Sequence, residues 1–268
     1  MYAFSFVRPD TLSEAVAFLK DNPEARPLSG GMTLIPTLKQ RLAAPSHLVD
    51  LTRLQELKGI VCDGHVLRIG AATPHAEVAR SKEVSKAIPA LARLAGMIAD
   101  PQVRNRGTIG GSVANNDPAA DFPAAVLGLK GSVITTSRCI PADEFFIGMF
   151  ETALEDGELV IGLEFPVPDR ASYVKYRHPA SGYAVTGIFA AQFKTEVRVA
   201  VTGAGPSVFR WKEAEAALQR NCSVEALKGL LIDHGLVLDD IHTPAPYRAN
   251  LVEVFTRHAV AALTSSAA

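Results

Sequence analysis

The chain has 268 residues, of which 48% are apolar and 21% charged, the mix of an ordinary globular protein. That excludes a disordered or fibrous chain and leaves room for roughly two domains at about 150 residues each, or one large one. Basic and acidic residues nearly cancel, 27 against 28. No basic cluster is denser than Arg104-Asn105-Arg106, which argues against a nucleic-acid partner. Apolar runs such as Ala124–Leu129 fall well short of the ~20 residues of a membrane span. The first ten residues, Met1 to Asp10, have neither the basic start nor the apolar stretch of a secretion signal, so the expected location is the cytoplasm. Cys62, Cys139 and Cys222 lie far apart and form no CxxC, hence no zinc ribbon and no iron–sulfur ligand set. They are expected as small buried apolar side chains.

Thr11 or Ser13, with Glu14 nearby, opens an amphipathic helix over Leu12–Leu19 that ends before Asn22-Pro23. A short strand, Ala25–Leu28, runs into Ser29-Gly30-Gly31-Met32-Thr33. After this turn Leu34, Ile35, Leu38 and Leu42 recur at helical spacing, with Pro36 in the tolerant first turn. His47–Leu51 and Val66–Ile69 read as strands, Ala76–Val84 and Ile88–Ile98 as helices. A second glycine turn, Arg106-Gly107-Thr108-Ile109-Gly110-Gly111-Ser112, leads through Val113-Ala114-Asn115-Asn116-Asp117-Pro118 into a helical pattern over Ala119–Leu129. Val133–Thr136, Leu159–Phe165 and Tyr173–Arg177 read as strands. Pro166-Val167-Pro168-Asp169 is the strongest punctuation, and the main boundary is placed there. Beyond it Gly187–Phe193 and Val197–Thr202 alternate like paired strands. Glu213–Gln219, Val224–Leu231 and Tyr247–Leu263 read as helices, and the Ser/Ala tail after Leu263 is expected to fray. Without a steady β–α alternation, the fold class is α+β.

A Gly-Gly pair between strand and helix either cradles an anion on backbone N–H groups or is a tight turn without a ligand. The ligand is narrowed by motifs that fail. Gly203-Ala204-Gly205 starts a GxGxxG pattern, but Val208 breaks it, and no Gly-Lys-Ser/Thr exists for a P-loop. The seven histidines include no HExxH, and His75-Ala76-Glu77 lacks the Pro-Cys-x-x-Cys of a zinc deaminase. No GxSxG elbow is present. Two Gly-Gly turns suit a pyrophosphate gripped from two sides by backbone amides without a lysine. Asp117-Pro118 is also the pattern of a helix N-cap with proline at N1. Asp121, four residues on in an apolar segment, needs a donor, which ribose or flavin hydroxyls would supply.

The two turn segments, Ser29 to Leu34 and Thr108 to Asp121, together with Ile98-Ala99-Asp100-Pro101-Gln102-Val103-Arg104-Asn105, resemble the FAD-binding medium subunit of the molybdenum hydroxylases. That group includes carbon monoxide, xanthine and nicotinate dehydrogenases and 4-hydroxybenzoyl-CoA reductase. The resemblance runs from Phe6, Arg8 and Pro9 to Tyr247, Arg248 and Leu251. It implies an α+β fold with a two-part FAD-binding region of the para-cresol methylhydroxylase type over 1–168, in lobes of about 1–55 and 56–168. A smaller C-terminal domain, 169–268, would carry a three-stranded antiparallel sheet and helices. FAD is the implied cofactor. Its pyrophosphate would lie on the first loop, Leu28, Ser29, Gly30, Gly31, Met32, Thr33, Leu34 and Ile35, and on Thr108, Ile109, Gly110, Gly111 and Ser112. Asp121 matches a position that contacts the flavin, and Gln102, Asn115 and Asp117 belong to the same implied set. Ala72-Thr73 matches a further cofactor-lining turn, and Leu159 and Val160 match residues beside the isoalloxazine. Lys175 and Tyr183 match the C-terminal domain's contribution, the aromatic ring covering one flavin face. Read from sequence alone, Tyr183 is an ordinary half-buried tyrosine and Lys175 a solvated strand-end lysine.

Three features depart from the family pattern. Ser29 replaces the usual alanine, Met32-Thr33 is a less common pair, and Val133–Ile140 is short where a longer hairpin is common. The implied role is an electron-transfer subunit without catalytic or metal-binding residues of its own. It would take electrons from a separate iron–sulfur small subunit, served by a molybdenum-cofactor large subunit, and pass them to NAD, a quinone or another acceptor. A self-contained flavin oxidoreductase would need a substrate-capping domain, for which the hundred or so residues after Asp169 are small. A non-catalytic nucleotide-binding module is the remaining alternative.

Overall fold

The structure, a computed structural model, describes residues 1–240 and 243–265. Among these the strands form four sheets. Ser5–Val7, His47–Asp50 and Arg26–Leu28 make a small parallel sheet with His47–Asp50 in the middle. Ile60–Cys62, Val66–Gly70, Val160–Pro166, Ser132–Thr135 and Cys139–Pro141 form an antiparallel sheet in that order. Arg170–Arg177, Ala184–Gln192 and Val197–Thr202 form a third, antiparallel sheet, to which Phe209–Arg210 adds a two-residue fourth strand. Phe146–Gly148 and Glu151–Thr152 pair as an isolated hairpin.

Three apolar cores follow from this layering. The largest gathers Leu67, Leu91, Val126, Leu163 and Phe165 with Tyr173 and Phe189 from the four-stranded sheet. The opposite face of that sheet buries Ile188, Val199 and Val201 against Trp211, Leu218, Val252 and Val260, largely from helices Lys212–Arg220 and Ala245–Ser265. Covered on both sides, Val197–Thr202 is buried at every position rather than at alternate ones. A third core, with Ala15, Leu19, Val49 and Leu57, lies under the small parallel sheet. No helix among the described residues is long and apolar enough to cross a membrane.

Local chemistry explains where elements start and stop. Thr11 accepts from the backbone of Glu14 at 3.2 Å and opens Leu12–Asp21, while the Glu14 carboxylate accepts from Asp10 N. The helix expected over Ala76–Val84 is two, His75–Arg80 and Lys82–Ala87. Ser81 breaks it because its hydroxyl caps the second piece at Val84 N. Asp100 caps a further short helix, Pro101–Arg106, with proline at its first position. Asp117 does not open a helix: it accepts from Ala119 N in an Asx turn, so Ala119–Leu129 shrinks to Phe122–Gly128. Val224–Leu231 contracts to the 3₁₀ turn Val224–Leu227. Thr264 and Ser265 of the tail continue the last helix, and 266–268 lie outside the described residues. The cysteines are not core residues either: Cys62 and Cys222 are half-buried and Cys139 is exposed.

Arg248 fastens the last helix to the sheet. Buried, it donates from Nη1 to the carbonyls of Val185 and Gly203 and from Nε to that of Leu238, and it pairs with Asp240. Arg248→Met strands buried acceptors at a cost of about 1–3 kcal/mol each. The expected loss is about 2–4 kcal/mol, a fall in Tm of roughly 5–12 °C in a thermal melt.

Candidate functional site

A cavity of about 580 Å³ opens where the loop after Arg26–Leu28 meets the turn before Ile109–Asn115. That volume lies within the range of cofactor sites. The two segments touch through backbone. A Cβ on Gly30 would lie 2.1 Å from the carbonyl oxygen of Arg106 and 2.7 Å from the Cα of Gly107, so only glycine fits. The hydroxyls of Ser29 and Thr108 are hydrogen-bonded at 3.0 Å. Gly31 sits at φ +71°, the left-handed region that glycine adopts without strain.

The two turns differ in what they offer a ligand. In the first, no hydrogen bond within the described residues takes up the backbone N–H groups of Ser29 to Thr33. In the second the N–H groups are spent: Ile109 donates to Thr73 O, Gly110 to Ala71 O, Gly111 to Thr108 Oγ1 and Ser112 to Thr108 O. Gly110 permits this closeness, since a Cβ there would be 2.4 Å from that of Ala71. Two equivalent amide grips, the expectation from sequence, are therefore not what folds. The first turn is a run of free donors and the second a wall knitted to the strand end at Gly70–Thr73.

Asp121 is buried on the cavity wall and its donors come from the chain itself. Tyr173 donates to Oδ1 at 2.5 Å, and Lys175 Nζ lies 2.8 Å from Oδ1 and 3.1 Å from Oδ2. Two apart on strand Arg170–Arg177, both side chains point to the same face. Gly187 makes room for the phenol, because a Cβ there would be 2.6 Å from the Tyr173 oxygen. Lys175 also donates to the carbonyl of Gly182, steadying the turn that carries Tyr183. Burial pushes the Asp121 carboxyl up, opposed by Lys175 and then Tyr173. Burial and the Asp121 charge push the Tyr173 phenol well up. Tyr183 is 43% exposed at the cavity; burial and the charges of Asp117 and Asp121 raise its phenol. Asp117, beside it, is raised by burial against its bond from Ala119.

Most of the residues singled out from sequence line this cavity: Leu28 to Leu34, Ala72, Thr108, Gly110, Gly111, Ser112, Asn115, Asp117, Asp121, Leu159, Val160 and Tyr183. Five do not. Ile35 lies behind Gly31, Thr73 exchanges hydrogen bonds with Gly59, and Ile109 is in the core. Gln102 is exposed on its helix, where Val103 lines the cavity instead. Lys175 stands behind Asp121 and is buried, not solvated. Tyr173 and His75 were missed. Tyr173 was legible only as a Tyr-x-Lys spacing on a strand. His75 lines the cavity, packs 5.2 Å from the Phe122 ring, and has a buried Nδ1 without a partner. Burial, then Arg104, lower its imidazole from 6.5 to about 4.

The sequence profile described as "FAD binding domain in molybdopterin dehydrogenase" matches residues 2–168. The medium chain of glyceraldehyde dehydrogenase from Sulfolobus acidocaldarius is 36% identical over 223 residues, 79% of either chain. The medium chain of carbon monoxide dehydrogenase from Hydrogenophaga pseudoflava is 35% identical over 220 residues, 77% of either chain. The solved carbon monoxide dehydrogenase from Hydrogenophaga pseudoflava, in a form lacking the Mo-pyranopterin moiety of its molybdenum cofactor, superposes with a TM-score of 0.89. It is 31% identical and covers 99% of this chain and 98% of its own. The chain belongs to the FAD-binding subunits of the molybdopterin dehydrogenases. It is a flavoprotein component of an oxidoreductase, and its cofactor is FAD.

Two titrations follow from these burials. Lys175→Met leaves Asp121 without its cation, at an expected cost of about 3–5 kcal/mol at pH 7. Because burial raises the folded carboxyl above its unfolded value, the folded state takes up the extra proton, and the deficit shrinks as pH falls from 7 toward 5 in denaturant titrations. His75 has the opposite sign. Its folded value of about 4 means the unfolded chain protonates first, so about 3 kcal/mol present at pH 7 is lost between roughly pH 6.5 and 4. His75→Leu should flatten that part of the stability curve.

Proposed function

We propose that the chain is the electron-relay subunit of a molybdenum hydroxylase, with FAD in the cavity between the two glycine turns. The observation that carries the placement is the run of unpartnered backbone N–H groups from Ser29 to Thr33 on the cavity wall. Consecutive free amides with a glycine at positive φ suit a pyrophosphate, which needs several donors and no side-chain cation. Thr108 to Ser112 back that group from the other side. Asp121, held by Tyr173 and Lys175, accepts from a hydroxyl or N–H of the cofactor. Ala72, Leu159 and Val160 offer apolar surface, and the Tyr183 ring is free to lie against a flat ring system. Bound FAD supplies the redox chemistry; the residues of this chain bind it, orient it and exclude water around it.

The relay reading rests on the family. The relatives are medium chains of dehydrogenases, one of them an enzyme with a molybdenum cofactor. On that basis an iron–sulfur small subunit would deliver electrons, a molybdenum-cofactor large subunit would oxidise the substrate, and the FAD held by this chain would supply the redox chemistry that links them to an external acceptor in the cytoplasm. Residues 1–168, with lobes of about 1–55 and 56–168, form the FAD-binding region, and 169–268 supply the cover through Lys175 and Tyr183. The profile match ending at residue 168 supports that division.

Gly111→Asp tests the placement well, because a Cβ there meets only Thr108 Oγ1, at 2.9 Å. Gly30→Asp discriminates less, since its Cβ alone would part the two turns. Purified wild-type chain should take up FAD with oxidised flavin bands that persist through gel filtration. Gly111→Asp should keep its circular dichroism and bind FAD at least ~100-fold more weakly, about 2.7 kcal/mol. Stoichiometric FAD in that variant would place the pyrophosphate elsewhere.

A further inference from the structure

The segment from Cys139 to Asp169 contains eight acidic residues and no lysine, arginine or histidine, in a chain whose net charge is only −1. At its centre the hairpin Phe146–Gly148 and Glu151–Thr152 holds Ile147, Met149 and Phe150 out to solvent, at 59%, 49% and 57% exposure. Phe150 has φ +56°, a conformation that a bulky side chain rarely adopts. The hairpin is held there by a buried residue. Asn116 donates from Nδ2 to the carbonyls of Gly148 and Glu151, both at 2.8 Å, and its backbone carbonyl accepts from Phe150 N at 3.2 Å. Asn116 directly follows Asn115, which lines the cofactor cavity. The apolar tip is thus fixed by the same short stretch that forms the cavity wall.

Its surroundings carry uncompensated negative charge. Asp143, Glu155, Glu158 and Glu164 are neutralised by arginines. Glu144 and Glu151 are exposed and form no ion pair among the described residues. The Glu151 carboxylate lies over the hairpin itself, 3.1 Å from where a Gly148 Cβ would be. A two-fold contact between copies of this chain would set these carboxylates against themselves. A different protein is the better occupant, one with a shallow apolar depression rimmed by lysine or arginine.

We propose that this hairpin is the docking knob for the electron-donating, cluster-bearing subunit. The inference rests on the relay reading: an electron donor has to approach the flavin closely, and the residue that anchors this apolar tip, Asn116, is the chain neighbour of Asn115 on the cavity wall.

The test uses the full chain and the partner complex purified from its native host. Phe150→Gly removes the ring while suiting the positive φ, so a folding defect is not expected. Its Tm and FAD affinity should match wild type, while the Kd for the purified cluster-bearing chain should rise at least ~30-fold, the loss of one interface anchor. Glu144→Lys with Glu151→Lys should slow association and flatten its salt dependence. If both variants bind the cluster-bearing chain with wild-type Kd and salt dependence, the proposal is overturned and the relay reading stands. If wild-type chain holds FAD yet binds no cluster-bearing chain, the relay reading falls and the proposal with it. Self-association of the wild-type chain that Phe150→Gly abolishes would make the occupant a second copy, which also overturns it.

Discussion

Everything at the site depends on how closely two stretches of backbone approach each other. Gly30, in the turn that follows strand Arg26–Leu28 of the small parallel sheet, lies against Arg106 and Gly107, and Gly110 lies against Ala71 at the end of the antiparallel sheet. A methyl group at Gly30 or Gly110 would hold these elements apart. The approach has a second consequence, for hydrogen bonding. The turn that packs inward gives its N–H groups to Thr73, Ala71 and Thr108, while the turn that lies outward keeps its own. Unpaired amides are costly when buried and useful when a ligand reaches them. One glycine turn therefore stabilises the fold and the other is left for binding.

A buried ion pair governs the opposite wall. Replaced by apolar groups of the same size, such a pair is often no loss to stability, so its presence is better explained by what it positions. Lys175 joins three things: the carboxylate of Asp121, the carbonyl of Gly182, and through that turn the ring of Tyr183. Tyr173 takes a second position on the same carboxylate, in space that Gly187 leaves open. Arg177, two residues on from Lys175, donates to the carbonyl of Ala99, a residue of the cavity wall. The four-stranded sheet is thus tied to the cavity by polar contacts as well as by its share of the main core, Tyr173 and Phe189.

The glycine turns, the short strand that leads into the first of them and the capped first helix were legible because each is specified by a few neighbouring residues. Thr11 and Glu14 are three apart, and Ser29 to Leu34 is one continuous run. What stayed hidden depends on distant partners. That the amides of Ile109 and Gly110 are spent is decided by carbonyls more than thirty residues earlier, at Thr73 and Ala71. The burial of Lys175 is decided by Asp121, and the lowered imidazole of His75 by the packing of Phe122 and the charge of Arg104. Ser81 is a different kind of miss, since the periodicity over Ala76–Val84 is genuine. There a side chain competes with the backbone and caps a new helix inside an apolar pattern.

Asn115 and Asn116 concentrate the functional argument into one peptide bond. The first faces the cavity; the second, in the left-handed conformation at φ +43°, turns away and fixes the exposed hairpin. A left-handed residue at the end of a helix reverses the chain's direction within a single residue. Asparagine tolerates that conformation better than most side chains, and its amide also supplies the donors that the hairpin carbonyls need. A subunit that holds FAD and also meets an electron donor needs a cofactor wall and a docking surface within a short distance of each other. Here that proximity follows from local backbone geometry and requires no rearrangement, so the hairpin is already in place before a partner arrives.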